Sequence, residues 1–330
     1  MALVHETIDA LPRRNDVHRI ARHEELLITE PKAGPMKLWQ EHPMLEVVHF
    51  PQEYAARPFA PPLGVYEAKH LRVEWQTMDN RQPFYHRNAD VDELSYQIAG
   101  DRTLITELGV VEHVPGEFSR IPVGVAHDNY GRKESHLLFY VPAPVTEAQP
   151  ELRTSEPTFP VFPDWEPTVI NEMTSVCLGA VGHDVAIAPV DEQLLLERCR
   201  EDKERLKVLA TGSGPGTTWL YRSHDVWIGT TRYVDGVDGS AWQRHLGGDE
   251  IQYQISGRRT LVSQRGSVEL EPGDFVRIPL GVAFTSLVPA GGQASSHITV
   301  LSAEPVPLVA PAARTAAPST PQVLEQLRGR

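Results

Sequence analysis

Apolar and polar residues alternate with a period of two in several short stretches of the chain. Leu94-Ser95-Tyr96-Gln97-Ile98 is one such stretch, and Ile251-Gln252-Tyr253-Gln254-Ile255 is another. Successive side chains of a strand point to opposite faces, so this alternation predicts strands with one buried face. Turn-forming residues bound them: Ala99-Gly100-Asp101, Pro115-Gly116 and Pro272-Gly273-Asp274. Short strands at this spacing predict antiparallel β-structure closed into a barrel or jelly roll. The stretch from Asp191 to Ala210 departs from the pattern and predicts a helix, with Asp191 as its cap. Pro142 to Pro167 is proline-rich and predicts a connector. The Ala- and Pro-rich tail from Pro305 to Pro321 is expected to be mobile or draped over the surface.

The pattern occurs twice. DELSYQIAGDRTL from Asp92 to Leu104 matches DEIQYQISGRRTL from Asp249 to Leu261. At the same offset, PGEFSRIPVGVAH from Pro115 to His127 matches PGDFVRIPLGVAF from Pro272 to Phe284. SHLLFYVPAPV from Ser135 then matches SHITVLSAEPV from Ser296. Self-similarity of this length marks an internal duplication. The predicted fold is mainly β: two jelly-roll barrels from that duplication, with a few flanking helices. Residues 1–150 are expected to form the first barrel, 151–304 the second and 305–330 the tail.

Composition narrows the function. A chain of 330 residues suits two domains, and its net charge of -13 disfavours nucleic acid as a partner. An anionic substrate would need a local cationic pocket against that field. Two cysteines, Cys177 and Cys199, exclude a disulfide framework and fit a reducing compartment. Early Glu6 and Asp9 do not suit a signal peptide, and no apolar run reaches the length of a membrane span. A cytoplasmic protein acting on small molecules, away from membranes and nucleic acid, is expected, assembled as a homo-oligomer.

The chemistry concentrates between residues 86 and 127. In an extended segment His86 and Asn88 share a face, and Glu93 opens the next predicted strand with Ser95 and Gln97 on its face. His127 follows the turn around Pro122 and Gly124. With Glu93 facing inward, the barrel interior receives His86, Glu93 and His127. Two imidazoles and one carboxylate leave coordination positions for a substrate and oxygen, which suits Fe(II); Mn(II), Ni(II) and Zn(II) are the alternatives. A lone strand histidine is usually a surface or packed group, and Glu93 alone would be a solvated charge. The joint spacing of His86, Glu93, Gly100, Gly116, Pro122, Gly124 and His127 is what points to a metal. Asn88, Gln97, Arg120 and Tyr130 are the candidate catalytic residues beside these ligands. Asn88 is a weak donor that would ligate or orient water, while Gln97 and His136 would support or pack. Arg87 and Asn129 are further hydrogen-bond donors nearby, and Tyr85 would line the mouth or pack.

These residues resemble the two motifs of the cupin superfamily. The first has histidines, a glutamate and, after six intervening residues, a glycine, as in His86, Glu93 and Gly100. The second has a glycine, Pro-x-Gly and a histidine, as in Gly116, Pro122, Gly124 and His127. Asn88 stands where many cupins carry the second histidine. Tyr85-His86-Arg87-Asn88 resembles the ligand segment of homogentisate 1,2-dioxygenases, although the glutamate here comes one residue later. Bicupin gentisate 1,2-dioxygenases are similar in length and in a metal held by the first barrel. Two-subunit hydroquinone dioxygenases share the histidine, asparagine, glutamate arrangement. The resemblance implies an Fe(II)-dependent, extradiol-type dioxygenase that opens a hydroquinone-like phenolic ring with O2. Rival readings are a metal-dependent isomerase, decarboxylase or non-aromatic oxygenase, and a non-catalytic small-molecule-binding bicupin.

The second copy has lost this set. Gln243 replaces His86, His245 replaces Asn88 and Phe284 replaces His127, while Glu250 is kept. Glutamine and phenylalanine do not replace two imidazole ligands, so the second barrel is expected to be structural and metal-free.

Overall fold

Alternating side chains give each strand one apolar face, and in this protein those faces close two β-barrels against each other. The computed structural model describes residues 2–28, 42–57, 61–178, 183–234, 236–291 and 293–329. In the first barrel the long strand Asp92–Thr106 lies between Glu117–Ile121 and His127–Val141. His127–Val141 also pairs with Leu71–Met78 and with Phe84–Asn88. The second barrel repeats the order, with Asp249–Ser256 between Asp274–Ile278 and Ser295–Ser302 and with Val226–Tyr233 beyond. Gly100 of the first motif is required by its turn. Its φ is +67°, and a Cβ there would sit 2.3 Å from the Lys133 carbonyl oxygen.

Strand pairing crosses the boundaries expected from the sequence. The hairpin of Leu3–Ala10 and Arg14–His23 lies against Ala241–His245 of the second barrel, in parallel register, with Asp9 opposite His245. The hairpin of Val169–Val176 and His183–Asp191 lies against Phe84–Asn88 of the first, also in parallel, with Ser175 opposite Asn88. A second pair of strands is traded in the same way. Glu46–His49 pairs with Asp274–Ile278, and Lys207–Ala210 pairs with Glu117–Ile121. Each barrel is completed by the leading segments of the other copy. The reason is edge satisfaction, since each sheet would otherwise end in unpaired backbone groups.

Two further expectations change. The predicted helix is confined to Glu192–Glu201, where the Asp191 carboxylate accepts hydrogen bonds from the Gln193 and Leu194 N–H groups. Lys207–Ala210 is strand, because Val208 and Leu209 are buried and a partner strand is at hand. The tail is tied down. Arg314–Thr315 pairs with Glu46–His49, Leu324 of helix Pro321–Arg328 is buried, and Arg328 meets Glu24 at 2.6 Å. The proline-rich connector carries the short strands Thr146–Glu147 and Arg153–Thr154, which also pair with neighbours.

The largest core cluster lies between the barrels and draws on both. Tyr96 and its repeat equivalent Tyr253 meet there at 6.5 Å between ring centroids, in a T-shaped pair. Each also packs on the equivalent phenylalanine, Tyr96 on Phe118 at 4.7 Å and Tyr253 on Phe275 at 4.6 Å. Burying a large side chain contributes roughly 1.5–3 kcal/mol, so this aromatic seam is a main bond between the halves. Cys177 and Cys199 are both buried and free. Among the described residues, no helix is long and apolar enough to cross a membrane.

Candidate metal centre

Three strands bring the candidate ligands together. His86, on Phe84–Asn88, stands directly opposite His127, the first residue of His127–Val141. The turn before His127 is held by Gly124, whose N–H donates to the Asn88 carbonyl at 2.8 Å. Glu93, near the start of Asp92–Thr106, is opposite Tyr140, which is in turn opposite Arg72 on Leu71–Met78. Cross-strand partners share a face, so this row points into the barrel. One donor atom each from His86, Glu93 and His127 lies within 4.8 Å of the others. The two imidazole rings cross at 5.3 Å, and His127 Nε2 is 3.4 Å from Glu93 Oε2. His127 Nδ1 faces the Val125 carbonyl at 3.3 Å, which leaves Nε2 aimed at the centre.

The electrostatics suit a cation. Burial pushes the Glu93 carboxyl up, but His127, His86 and the Asn88 amide outweigh it and hold its pKa down at about 2. Burial likewise opposes charge on His127, and Glu93 outweighs it, raising the imidazole pKa. Glu93 thus favours the protonated form of His127, and a metal ion would compete with that proton for the imidazole. Two nitrogen donors and one ionised carboxylate, gathered at a cavity, fit a mononuclear divalent ion.

The structure separates the other expected site residues. Asn88 is buried behind Glu93. Its amide nitrogen donates to Glu93 Oε2 at 2.9 Å and its oxygen accepts from the Cys177 thiol at 2.8 Å. It holds the carboxylate in place rather than lining the cavity. Gln97 points into the barrel but bonds Glu134 at 3.1 Å, away from the cavity lining. Arg120 is spent on Asp92 and Glu147. Tyr130 packs on Phe162 at 4.9 Å. Arg87 pairs with Glu172 and Glu107 and so ties the ligand strand to its neighbours. Tyr85 is buried and donates to Glu192 at 2.9 Å. His136 is bonded to Glu134. Of the predicted donors, Asn129 does line the cavity.

That cavity measures about 640 Å3 and is lined by His86, Glu93 and His127. Arg72, Glu74, Tyr140, Ser175 and Cys177 also line it, and sequence reasoning missed all five as site residues. Ser175 comes from the exchanged hairpin and its hydroxyl bonds His86 Nε2. The sequence held one signal. Leu71-Arg72-Val73-Glu74-Trp75-Gln76 alternates strictly, with Leu71, Val73 and Trp75 in the core between the barrels and Arg72, Glu74 and Gln76 at the cavity.

In the second barrel the equivalent place is lined differently. Gln243 is opposite Phe284, as His86 is opposite His127, and Phe284 is fully buried. His245 lies between Asp9 at 2.8 Å and Glu250 at 2.6 Å. Burial disfavours its charge, but the two carboxylates outweigh it and raise the imidazole pKa to about 10. A protonated imidazole therefore bridges the two carboxylates. Gln252 binds the remaining Glu250 oxygen at 2.6 Å. Among the described residues, the only three-residue cluster suited to a metal is the one in the first barrel.

No protein-family model matches the chain, and no curated protein is similar to it in sequence. Solved structures are similar in fold. A cupin 2 conserved barrel domain protein from Leptotrichia buccalis aligns with a TM-score of 0.50 at 6% identity, covering 79% of this chain and 98% of that one. A variant of Bacillus subtilis oxalate decarboxylase aligns with a TM-score of 0.45 at 11% identity, covering 88% and 86%. At such identities the likeness is one of architecture. With its two duplicated barrels and mainly β structure, the chain has the cupin fold in its bicupin form.

Proposed function

We propose that the first barrel holds one Fe(II) ion and opens the ring of a hydroquinone-type phenol with dioxygen. The observation that carries this reading is the cluster of His86, Glu93 and His127 at the wall of a cavity of about 640 Å3. That volume lies within the range of small-molecule sites, roughly 300–1,000 Å3. His86, Glu93 and His127 would hold the ion. Ferrous iron, when bound, supplies the one-electron chemistry that lets dioxygen react with a closed-shell phenol. The chain supplies position and environment. Glu93 is ionised and fixed by Asn88, and His127 is fixed through Val125. Phe84, Leu138, Met173 and Val176 line the cavity with apolar surface that would contact an aromatic ring and exclude water. The resemblance of His86-Arg87-Asn88 to the homogentisate dioxygenase segment supports the aromatic substrate.

The test is oxygen uptake by iron-loaded, full-length protein with hydroquinone, gentisate and homogentisate, in air and under argon. The expected result is consumption of one O2 per ring opened, and none under argon. Equal turnover without oxygen would move the reaction to the isomerase and decarboxylase class. Failure of every phenol to react would remove the ring-opening reading.

A further inference from the structure

The two exchanged hairpins are built alike, and each leaves its outer strand bare. Arg14–His23 and His183–Asp191 stand at the ends of their sheets and pair on one side only, which leaves an open edge. Among the described side chains, none on either strand is buried. The repeat aligns the two hairpins. Thr7 lies opposite Gln243 as Met173 lies opposite His86, and Arg19 and Ile187 are the next partners outward. In that register Leu3 matches Val169, Val17 matches Val185 and Leu26 matches Leu194. All six are more than half exposed. Single exposed apolar residues are ordinary, but the same three places apolar and bare in both copies mark a contact surface. The edges differ in charge. Arg14–His23 carries three arginines and one aspartate, whereas His183–Asp191 carries two aspartates and no lysine or arginine. With histidines neutral, the first edge has a net charge of +2 and the second of -2. Like edges repel and unlike edges attract, so charge selects the pairing of one kind with the other.

We infer that these edges are the two halves of one interface between copies of this chain. The basic Arg14–His23 edge of one molecule docks on the acidic His183–Asp191 edge of a second, head to tail, and the matched apolar residues are covered in the contact. The acidic edge belongs to the hairpin whose Met173 and Ser175 line the cavity, and Ser175 bonds His86. Docking therefore braces the cavity wall that reaches the metal cluster.

The experiment reads molar mass by light scattering after gel filtration of full-length protein at micromolar concentration. Wild type is expected to contain at least two copies of the 36.8 kDa chain. One double variant, Arg14→Glu with Arg19→Glu, turns the basic edge acidic. A second, Val185→Lys with Ile187→Lys, puts cations on the acidic edge. Each alone should fall to a single chain. Mixed in equal amounts, the two should form a heterodimer, because the first keeps an intact acidic edge and the second an intact basic one. Monomeric wild type overturns the inference without any variant, so a variant that fails to fold does not protect it. Undiminished association of either folded variant alone also overturns it, since copies would then join through like edges or elsewhere. So does a mixture of the two folded variants that stays monomeric.

Discussion

His245 and Asp9 meet side chain to side chain at 2.8 Å, although 236 positions separate them in the chain. The contact pins the N-terminal hairpin to the second barrel through a buried imidazolium that also binds Glu250. Its folded pKa, about 10, lies above the ordinary histidine value. The stabilisation is therefore complete below about pH 6.5 and is lost as pH rises through the folded value. Wild type should lead His245→Asn in urea midpoint at pH 6, and the lead should shrink steadily toward pH 10. A pH-independent difference would mean that packing, not charge, makes the contact.

Metal content should follow the first barrel alone. His86→Ala and His127→Ala each remove an imidazole donor and should bring bound metal close to zero, with loss of turnover. Glu250→Ala should leave metal stoichiometry and turnover nearly unchanged, since His245 and Phe284 fill that place. Elemental analysis of protein purified without chelator checks both. Full metal occupancy in His127→Ala would overturn the assignment.

Asn88 should act through Glu93. Replacing it with alanine removes the 2.9 Å hydrogen bond that orients the carboxylate. Loss of such an outer partner typically costs about 10–100-fold in metal affinity or activity. Asn88→Ala should still fill with metal when the ion is in excess, yet turn over more slowly. Competition with a metal chelator measures the affinity. Loss of metal as complete as in His86→Ala would make Asn88 a ligand itself.

Phe118→Ala should weaken the whole molecule. Phe118 is fully buried and packs on Tyr96 at the seam between the barrels. Truncating a buried phenylalanine costs about 3–5 kcal/mol. Because the barrels share this core and trade strands, the loss should appear in one transition common to both. Denaturation followed by tryptophan fluorescence and by metal release should give coincident midpoints. A second, unshifted transition would show that the halves unfold independently.

The barrels and the ligand trio were legible because both are written in local spacing. Leu94 to Ile98 alternates, Gly100 marks a turn, and His86, Glu93 and His127 stand at motif distances. What the sequence did not disclose depends on which element lies beside which. Ser175 reaches His86 from a hairpin 89 positions away, and only the parallel pairing of the two strands brings it there. Val208 and Leu209 continue a helical-looking run, but the open edge at Glu117–Ile121 draws them into a strand. Arg120 and Tyr130 lie close to the motifs in sequence, yet ion pairs and ring packing turn them elsewhere. Glu74 was hidden because alternation shows that a strand has two faces without saying which face meets the cavity.

The exchange of leading segments bears on how such a chain arose. A half-length ancestor with one repeat would have carried both a hairpin and the sheet edge that the other copy's hairpin covers today. Two copies trading hairpins would have satisfied each other, so the present chain has the form of a domain-swapped dimer made covalent by gene fusion. Fusion also frees the halves to diverge. The first barrel needs the second for its strands and its half of the aromatic seam, but not for a second set of imidazoles. Selection could then let Gln243 and Phe284 stand in for ligands while the surrounding shape was kept. Such a barrel endures as scaffold for its twin, and cutting the chain between the repeats should yield two fragments that fold only when mixed.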